Sequence, residues 1–268
     1  MPQKQDTTGE ELKIRVGEEQ VTGRAQGQGR PIVLLHSLLA DASSFDPLAA
    51  LLARTHRVVQ LDLPGFGGSH PVAGGLEAVA DRTADAIRNL KLETKPIVLG
   101  NGYGGFVALL TAIRHPQLAE RLVLADCGVG FDEPGRQAFR NMSAAATAKG
   151  LAAISDVAMR RLFAPAFQAE NAELIEQRRA RFVAVHPETF HAACAALASL
   201  DLREQAAGVK VPALVLVGEQ DEATPPRMAR ELASLLPDAR FVLLGGCAHV
   251  PQLQAPQQFL DAIAAFIR

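Results

Sequence analysis

Short apolar runs alternate with longer amphipathic segments along most of this chain. Ile32–Leu35 and Ala213–Val217 are continuous apolar runs, which are typical of parallel strands buried on both faces. Between such runs, Leu76–Leu90 repeats apolar residues at the spacing of one helix face. Strands that alternate with helices predict an α/β fold, with a mostly parallel central sheet flanked by helices.

The same periodicity predicts the remaining elements on either side of one exceptional segment. Residues 131–208 contain no strand pattern and are rich in alanine and arginine, with helical spacing broken at Gly150, Pro165 and Pro187. We therefore expect a core formed by residues 1–130 and 209–268, with residues 131–208 inserted as a helical cap. The other predicted strands are Leu12–Val16, Val21–Ala25, Val58–Leu61, Ile97–Leu99, Leu122–Ala125 and Phe241–Leu244, and the other predicted helices are Phe45–Ala53, Phe106–Ile113, Arg227–Leu236 and Pro256–Ile267.

Composition narrows the class of partner. The chain has 268 residues, of which 48% are hydrophobic, and a net charge of −2, so it offers no electrostatic argument for binding nucleic acid or an anionic membrane surface. The first twenty residues are polar, without a signal-like apolar core, and no apolar run approaches a membrane span. The cysteines Cys127, Cys194 and Cys247 form neither a metal-ligand pattern nor a disulfide framework. We expect a cytoplasmic monomer or homodimer that binds a small-molecule substrate, with no metal and no cofactor.

The strongest chemical signal lies in Val98–Gly105. An apolar strand enters a tight glycine turn, and an apolar helix follows at once. This is the setting in which the pattern G-x-S-x-G presents a nucleophilic serine on a strand-to-helix turn. When the pattern is aligned on Gly100 and Gly104, the serine position holds Gly102. The turn therefore indicates a nucleophile elbow whose residue has no side-chain oxygen.

A dinucleotide-binding turn is the competing interpretation of the same glycines. Gly100, Gly102 and Gly105 satisfy G-x-G-x-x-G, and Asp126 follows at about the distance of the acidic partner, roughly 20 residues. Such a turn is expected after the first strand of a βαβ unit, whereas this one follows two earlier strand and helix units. It also leaves Asp221, His249 and the helical insertion without a role.

Two further residues stand where a serine-hydrolase mechanism needs them. Asp221 follows the predicted strand Ala213–Val217, and His249 lies between the last strand and the last helix. The chain order of elbow, acid and histidine is that of the α/β-hydrolases. In that chemistry the histidine is the base, while the acid fixes its tautomer and stabilises the imidazolium.

The chain resembles the α/β-hydrolase superfamily over roughly residues 12–268. His36-Ser37-Leu38 resembles the family's oxyanion loop, although Ser37 stands where glycine is usual. The resemblance implies an oxyanion hole made by the backbone N–H groups of Tyr103 and of Ser37 or Leu38. Within the superfamily, the chain is most similar to 3-oxoadipate enol-lactonases and related C–C bond hydrolases of aromatic degradation; this likeness rests on His191–Leu197, Asp201–Arg203, Thr224–Pro226, Met228-Ala229 and Glu231-Leu232.

The glycine at position 102 leaves four explanations open. In the first, His249 activates a water, and in the second, Asp126 or Cys127 replaces the serine. In the third, the reaction is non-hydrolytic acid–base chemistry, such as a cofactor-free oxygenation, a lyase or an isomerase reaction. In the fourth, the chain is a small-molecule-binding pseudoenzyme or an engineered Ser-to-Gly knock-out. We expect an enzyme in which His249 and Asp221 activate water or substrate toward a lactone, an ester or a ring-cleavage product. No acyl-enzyme can form at position 102, so the sequence predicts resistance to serine-directed reagents.

Candidates for the pocket wall complete the prediction. His36, Asn101, Asp126 and Cys127 lie close in sequence to the predicted loops at the strand ends, and we expect them to line the pocket. The insertion carries a set of arginines that forms either a solvated helix face or, if one turns inward, a site for a substrate carboxylate. These are Arg160, Arg161, Arg178, Arg179 and Arg181.

Overall fold

The computed structural model describes residues 9–268, and its centre is one eight-stranded sheet. The strand order is β1-β2-β4-β3-β5-β6-β7-β8. The pairs β1–β2 and β2–β4 are antiparallel, and the other neighbours are parallel. The strands are β1 (Glu10–Val16), β2 (Glu19–Gln26), β3 (Arg30–Leu35), β4 (His56–Leu61), β5 (Ile97–Asn101), β6 (Arg121–Ala125), β7 (Ala213–Gly218) and β8 (Ala239–Leu244).

Helices follow most of the parallel strands and cover both faces of the sheet. They are α1 (Asp46–Leu52), α2 (Gly75–Asn89), α3 (Tyr103–Arg114), α4 (Glu133–Lys149), α5 (Ser155–Leu162), α6 (Pro165–Glu170), α7 (Ala172–Val183), α8 (Pro187–Ser199), α9 (Arg203–Ala206), α10 (Pro226–Leu235), α11 (Pro251–Gln254) and α12 (Pro256–Ile267). The α/β fold with a mostly parallel sheet is thus confirmed.

The predicted elements all form, with ends that differ by a few residues. The predicted helix Phe45–Ala53 forms as α1, which runs from Asp46 to Leu52 with Pro47 in its first turn. A 3-10 turn at Ala42–Phe45, which the periodicity did not predict, precedes it. Proline is favoured in a first helical turn because its missing N–H would have no partner there.

The strands divide their side chains between two hydrophobic clusters. Val33 and Leu35 face one cluster, which includes residues of α2, α3 and α10. Ile32 and Leu34 face the other, which packs on α1 and α12. This alternation follows from the two-residue period of a strand, and it explains why the central strands are apolar at every position.

Six helices, α4–α9, lie between β6 and β7, and we call this segment the helical insertion. Its predicted breaks are confirmed because α4 ends before Gly150, while α6 and α8 begin at Pro165 and Pro187. An isolated antiparallel bridge joins Gly130 to Asp201 near its two ends. The first eight residues, which begin the polar segment without a signal-like core, lie outside the described residues.

Two features of this architecture bear on the site. Within residues 9–268, every helix is too short or too polar to cross a lipid bilayer. The carboxyl ends of the parallel strands meet at one edge of the sheet, which is where open α/β sheets bind their ligands. The loops that follow β3, β5, β6, β7 and β8 therefore converge, and they carry the residues of the candidate site.

Candidate active site

His249 and Asp221 form the histidine–carboxylate pair that their order in the chain predicted. The Nδ1 of His249 lies 2.9 Å from Oδ2 of Asp221, and both side chains are buried. The backbone N–H groups of Ala223 and Thr224 both donate to the other oxygen, Oδ1. These donors hold the carboxylate in place so that it accepts from Nδ1–H, which leaves Nε2 of His249 as the basic nitrogen.

The elbow keeps its backbone geometry with glycine at its tip. Gly102 has φ +54° and ψ −117°, a conformation that a residue with a Cβ rarely adopts, and α3 begins directly after it. A Cβ built on Gly102 would lie 2.6 Å from Nε2 of His249. A side chain at position 102 would therefore point at Nε2 of His249.

A close approach explains the second glycine of the elbow. A Cβ on Gly104 would overlap the backbone oxygen of Leu35. The N–H of Gly104 donates to the backbone oxygen of His36 at 2.9 Å. The elbow is thus pressed against the loop that follows β3, and the two loops share one side of the site.

The hydroxyl of Ser37 occupies the space in front of the base. Its Oγ lies 3.2 Å from Nε2 of His249, and it would lie 2.5 Å from a Cβ on Gly102. The sequence predicted only a backbone role for Ser37. The signal that could have indicated more is the hydroxyl itself, at a position where the resemblance leads one to expect glycine.

His36 does not line the pocket, which corrects the sequence prediction. The ring is buried, its Nδ1 donates to the backbone oxygen of Ser37 at 2.9 Å, and its Nε2 accepts from the N–H of Leu63 at 3.2 Å. Burial lowers the pKa of His36, in keeping with a neutral ring that donates at one nitrogen and accepts at the other. His36 therefore fixes the loop that carries Ser37.

Two residues of the pocket wall have backbone N–H groups without a partner in the described part of the protein, and the resemblance implied both as donors to an oxyanion. Leu38 and Tyr103 both line it, and within residues 9–268 neither N–H donates to another protein group. Tyr103 is the first residue of α3, where a helix leaves its N–H groups free and carries partial positive charge. Both groups are available to stabilise an oxyanion.

Asn101 and Asp126 lie behind the pocket rather than on its wall. The amide of Asn101 donates to the Asp126 carboxyl at 3.1 Å and to the backbone oxygen of His249 at 2.9 Å. Gly218 N–H donates to the same carboxyl at 2.8 Å. Burial, and then the neighbouring Asp221 carboxylate, raise the pKa of Asp126 well above its ordinary value. Asp126 is thus enclosed and satisfied within the protein, and it cannot act as the ribose ligand of a dinucleotide site.

Cys127 is also absent from the pocket wall, and its environment argues against a nucleophile. The side chain is buried and packs against Gly105, where a Cβ would lie 2.7 Å from its Sγ. Burial raises the pKa of the Cys127 thiol, and the nearby Asp126 raises it further. Because the thiolate is the reactive form, the raised pKa and the burial of Cys127 both disfavour a nucleophilic role.

Thr224 is the site residue that sequence reasoning missed. Its hydroxyl lies 2.7 Å from Oδ2 of Asp221 and 2.7 Å from the backbone oxygen of Asp126, and it is 3.2 Å from Nδ1 of His249. The hydroxyl therefore bridges the loops that follow β6, β7 and β8, behind the hydrogen-bonded pair of His249 and Asp221. The signal available in the sequence is a threonine three residues after the acid, placed to close a turn on its carboxylate.

The pocket in front of His249 is small and mostly apolar. Its cavity volume is about 30 Å³, enough for one or two water molecules. The helical insertion supplies part of the wall, including the apolar side chains of Phe139 and Met142. The full wall comprises Ser37, Leu38, Leu39, Gly102, Tyr103, Phe106, Phe131, Phe139, Met142, Arg161, Leu197, Ala223, Thr224 and His249.

Arg161 is the insertion arginine that turns toward this pocket. Arg178 and Arg179 are held by carboxylates of Asp41 and Asp156, respectively. Arg161 lines the pocket and, within residues 9–268, makes no ion pair or hydrogen bond to the protein. A larger open depression of about 600 Å³ lies at residues 87–96 and 114–118, and it includes none of the residues around His249.

Comparison with known proteins agrees with the fold. A model of the Alpha/beta hydrolase family matches residues 32–262. The chain belongs to the alpha/beta hydrolase family. It is 30% identical over 254 residues to the pimeloyl-[acyl-carrier protein] methyl ester esterase of Aeromonas hydrophila, covering 90% of this chain and 96% of that protein.

Solved structures extend the likeness to almost the whole chain. The enol-lactonase from Burkholderia xenovorans superposes with a TM-score of 0.88 at 27% identity, covering 96% of this chain and 99% of that one. A thermophilic esterase from Thermogutta terrifontis, solved with malate bound, gives 0.87 at 27% identity, covering 96% and 98%. The names of these relatives support a hydrolase activity for this alpha/beta hydrolase.

Proposed function

We propose that this protein hydrolyses a small carboxylic ester or lactone, with His249 as general base and Asp221 as the residue that orients it. The observation that carries the proposal is the 2.9 Å contact of His249 Nδ1 with Asp221, combined with an Nε2 aimed at the elbow position. This geometry supports removal of a proton from a hydroxyl that attacks a carbonyl carbon in the pocket.

The backbone around the pocket suits the same reaction. Attack on a carbonyl places negative charge on its oxygen, and the free N–H groups of Leu38 and Tyr103 are positioned on the pocket wall to stabilise that charge. His249, once protonated, returns its proton to the departing oxygen. Each step uses groups of this chain and a water molecule.

The pocket lining supports a substrate that carries its own carboxylate. The aromatic and aliphatic side chains of Phe131, Phe139 and Met142 suit a short hydrocarbon chain. They must move apart to admit it, because the cavity of about 30 Å³ has room for only one or two water molecules. The guanidinium of Arg161, which no protein carboxylate neutralises within residues 9–268, suits a negative group at one end of that chain. We therefore propose a monoester of a dicarboxylic acid, or the lactone of a carboxylic acid, as the substrate class.

A matched pair of esters tests this proposal. We expect the wild-type protein to prefer 4-nitrophenyl hydrogen adipate over the neutral 4-nitrophenyl hexanoate. The His249→Ala variant is expected to lose about 10²- to 10⁴-fold in kcat on both esters, since general-base catalysis is worth that much. Arg161→Ala is expected to raise KM about 10- to 100-fold for the adipate ester alone, and the exposed Arg160→Ala serves as its control.

Two results would reject the proposal. Turnover of both esters that is unchanged in His249→Ala would place the chemistry elsewhere. Wild-type turnover no faster than the uncatalysed reaction, for neutral and anionic esters and for lactones alike, would favour a binding protein or a non-hydrolytic enzyme. Equal effects of Arg161→Ala on the two esters would reject the substrate class and leave the hydrolase mechanism standing.

A further inference from the structure

We propose that the hydroxyl of Ser37, on the loop after β3, is the nucleophile of this enzyme. This inference rests on the proposed hydrolase function and names the hydroxyl that His249 activates. Its basis is the position of Ser37 Oγ, which lies 3.2 Å from His249 Nε2 and within 2.5 Å of the point where a Cβ of residue 102 would stand. The reactive oxygen is thus supplied by the neighbouring loop.

Ser37, His249 and Asp221 form a continuous line of hydrogen bonds. Asp221 accepts from Nδ1–H of His249 at 2.9 Å, so Nε2 is the acceptor that faces Ser37. Within residues 9–268, the Ser37 hydroxyl bonds to no protein group other than this nitrogen. A nucleophile within hydrogen-bond reach of a base, with the base oriented by a third group, is the arrangement that activates a serine.

The backbone of Ser37 is held firmly enough to aim its side chain. Its carbonyl oxygen accepts from the ring of His36 at 2.9 Å and from the N–H of Ala40 at 3.2 Å. The ring of His36 is itself fixed by the N–H of Leu63. Because the carbonyl is held from two sides, the Cβ of Ser37 has little freedom to turn away from His249.

Acylation requires only the ester and groups of this chain. An electron pair of Ser37 Oγ attacks the carbonyl carbon of the ester, and the hydroxyl proton passes to His249 Nε2. The carbonyl π electrons move onto the oxygen, which faces the N–H groups of Leu38 and Tyr103. When the oxyanion collapses, the C–O bond to the leaving alkoxide or enolate breaks, and that oxygen takes the proton from His249. An acyl ester on Ser37 remains.

Deacylation repeats the sequence with water. The water oxygen attacks the acyl carbon while its proton passes to His249 Nε2. The second oxyanion then collapses, the bond to Ser37 Oγ breaks, and this oxygen recovers the proton from His249. The product is the free carboxylic acid, and Ser37 and His249 return to their starting protonation states.

Direct attack by water is the alternative that the geometry disfavours. A water activated by His249 would need the space beside Nε2, and the Ser37 hydroxyl stands there at hydrogen-bond distance. The cavity of about 30 Å³ in front of the pair can still admit the water of the second step. The covalent route uses the hydroxyl where it stands, and in its second step a water reaches Nε2 through this cavity after the leaving group has departed.

A fluorophosphonate label locates the nucleophile directly. Trypsin releases Ser37 in the fragment of residues 25–54, since the Arg30–Pro31 bond resists cleavage, and the elbow in the serine-free fragment of residues 92–114. The resistance to serine-directed reagents predicted from Gly102 alone is replaced by the opposite expectation, because Ser37 Oγ lies 3.2 Å from His249 Nε2. We expect a His249-dependent label on Ser37 and a burst of 4-nitrophenol from the adipate ester. Ser37→Ala is expected to lose the label, the burst and about 10³-fold or more of kcat.

Ser44→Ala is the matched control, because Ser44 is a buried serine of the same fragment whose hydroxyl has no partner within the described residues. It should keep the label and the rate. A second variant guards against misfolding of Ser37→Ala: Ser37→Cys should take iodoacetamide in fragment 25–54, whereas Ser44→Cys should not.

The kcat values of the two alanine variants distinguish failure of this inference from failure of the proposed function. If Ser37→Ala keeps the wild-type kcat while His249→Ala loses it, water is the nucleophile and Ser37 is not. An unlabelled wild-type protein that still turns over the adipate ester without a burst would likewise exclude Ser37. If neither variant changes turnover, the proposed function fails together with the inference.

Discussion

Two loops meet in front of His249, and one supplies a backbone position while the other supplies a hydroxyl. The elbow after β5 keeps the backbone of a nucleophile position, with φ +54° and ψ −117° at Gly102, but offers no side chain. The loop after β3 offers a hydroxyl, with Ser37 Oγ 3.2 Å from the base. Because β3 and β5 are paired neighbours in the sheet, their carboxyl ends lie close enough for one loop to supply what the other lacks.

The glycine and the serine of these two loops form a matched pair. A Cβ at position 102 would lie 2.5 Å from Ser37 Oγ and 2.6 Å from His249 Nε2, both far inside van der Waals contact. A side chain on the elbow and the present placement of Ser37 therefore exclude each other. In the proposed mechanism, the elbow supplies the backbone and the direction, and the reacting atom comes from the adjacent loop.

The largest expected effect of a change in either loop is on stability. Gly102→Ala forces a Cβ against Ser37 and His249 and imposes a positive φ on alanine, and we expect it to lower the free energy of unfolding by about 2–5 kcal/mol. Gly17→Ala is the control, since Gly17 also has a positive φ, +63°, but a Cβ there would meet nothing within 4 Å. Denaturant unfolding of both variants measures the difference. Equal losses would mean that the space at position 102 is not filled.

A smaller effect is expected from the residue that holds the β3 loop. His36→Ala removes the donor to the Ser37 carbonyl and leaves the Leu63 N–H buried without its partner, so we expect a loss of about 1–3 kcal/mol and a kcat about 10-fold lower at unchanged KM. His56→Ala provides the comparison, because His56 is a buried histidine bonded to the carbonyl of Ile267 and is absent from the pocket wall. Steady-state kinetics should show a lower kcat for His36→Ala and not for His56→Ala. A kcat loss of the same size in both would reduce His36 to a structural role.

The smallest effect concerns the pH dependence behind the two loops. Burial raises the pKa of Asp126 in the folded protein above its ordinary value of 3.8. At pH values above 3.8, this carboxyl therefore binds more protons in the folded protein than in the unfolded chain. Stability from this group therefore falls as pH rises through that window toward the folded pKa. Asp126→Asn should flatten that fall, as followed by thermal unfolding across pH.

Asp81, whose pKa is shifted in the opposite direction, supplies the control for that measurement. The Arg114 guanidinium, with a smaller part from His115, lowers the pKa of Asp81 to about 2. Its contribution is present above pH 3.8 and is lost as pH falls toward 2, and it is small because the side chain is 39% exposed. Asp81→Asn should alter the acid limb alone. An Asp126→Asn curve that differs from the wild type only in the acid limb would contradict a raised pKa for the buried Asp126 carboxyl.

Hydrophobic periodicity predicted the sheet, and short motifs after the strands predicted the order of the site residues. Both signals are local properties of the sequence. The apolar strands, the elbow glycines, Asp221 and His249 each carry their signal within a few residues. The role of Ser37 depends on a contact with His249 across 212 positions, and no local pattern reports such a contact. For the same reason Asn101 and Asp126 looked like pocket residues, although their hydrogen bonds to Gly218 and to the His249 backbone turn them inward.

The most direct test moves the hydroxyl from one loop to the other. The double variant Ser37→Ala/Gly102→Ser removes the β3-loop hydroxyl, the nearest atom that a Cβ at position 102 would meet, and places a hydroxyl on the elbow, beside the same base and the same backbone donors. After fluorophosphonate treatment and tryptic digestion, we expect the label in fragment 25–54 of the wild-type protein, in neither fragment of Ser37→Ala, and in fragment 92–114 of the double variant. A wild-type protein that stays unlabelled while the double variant is labelled would show a working base and oxyanion hole beside an unreactive Ser37, and would contradict the assignment of Ser37 as the nucleophile.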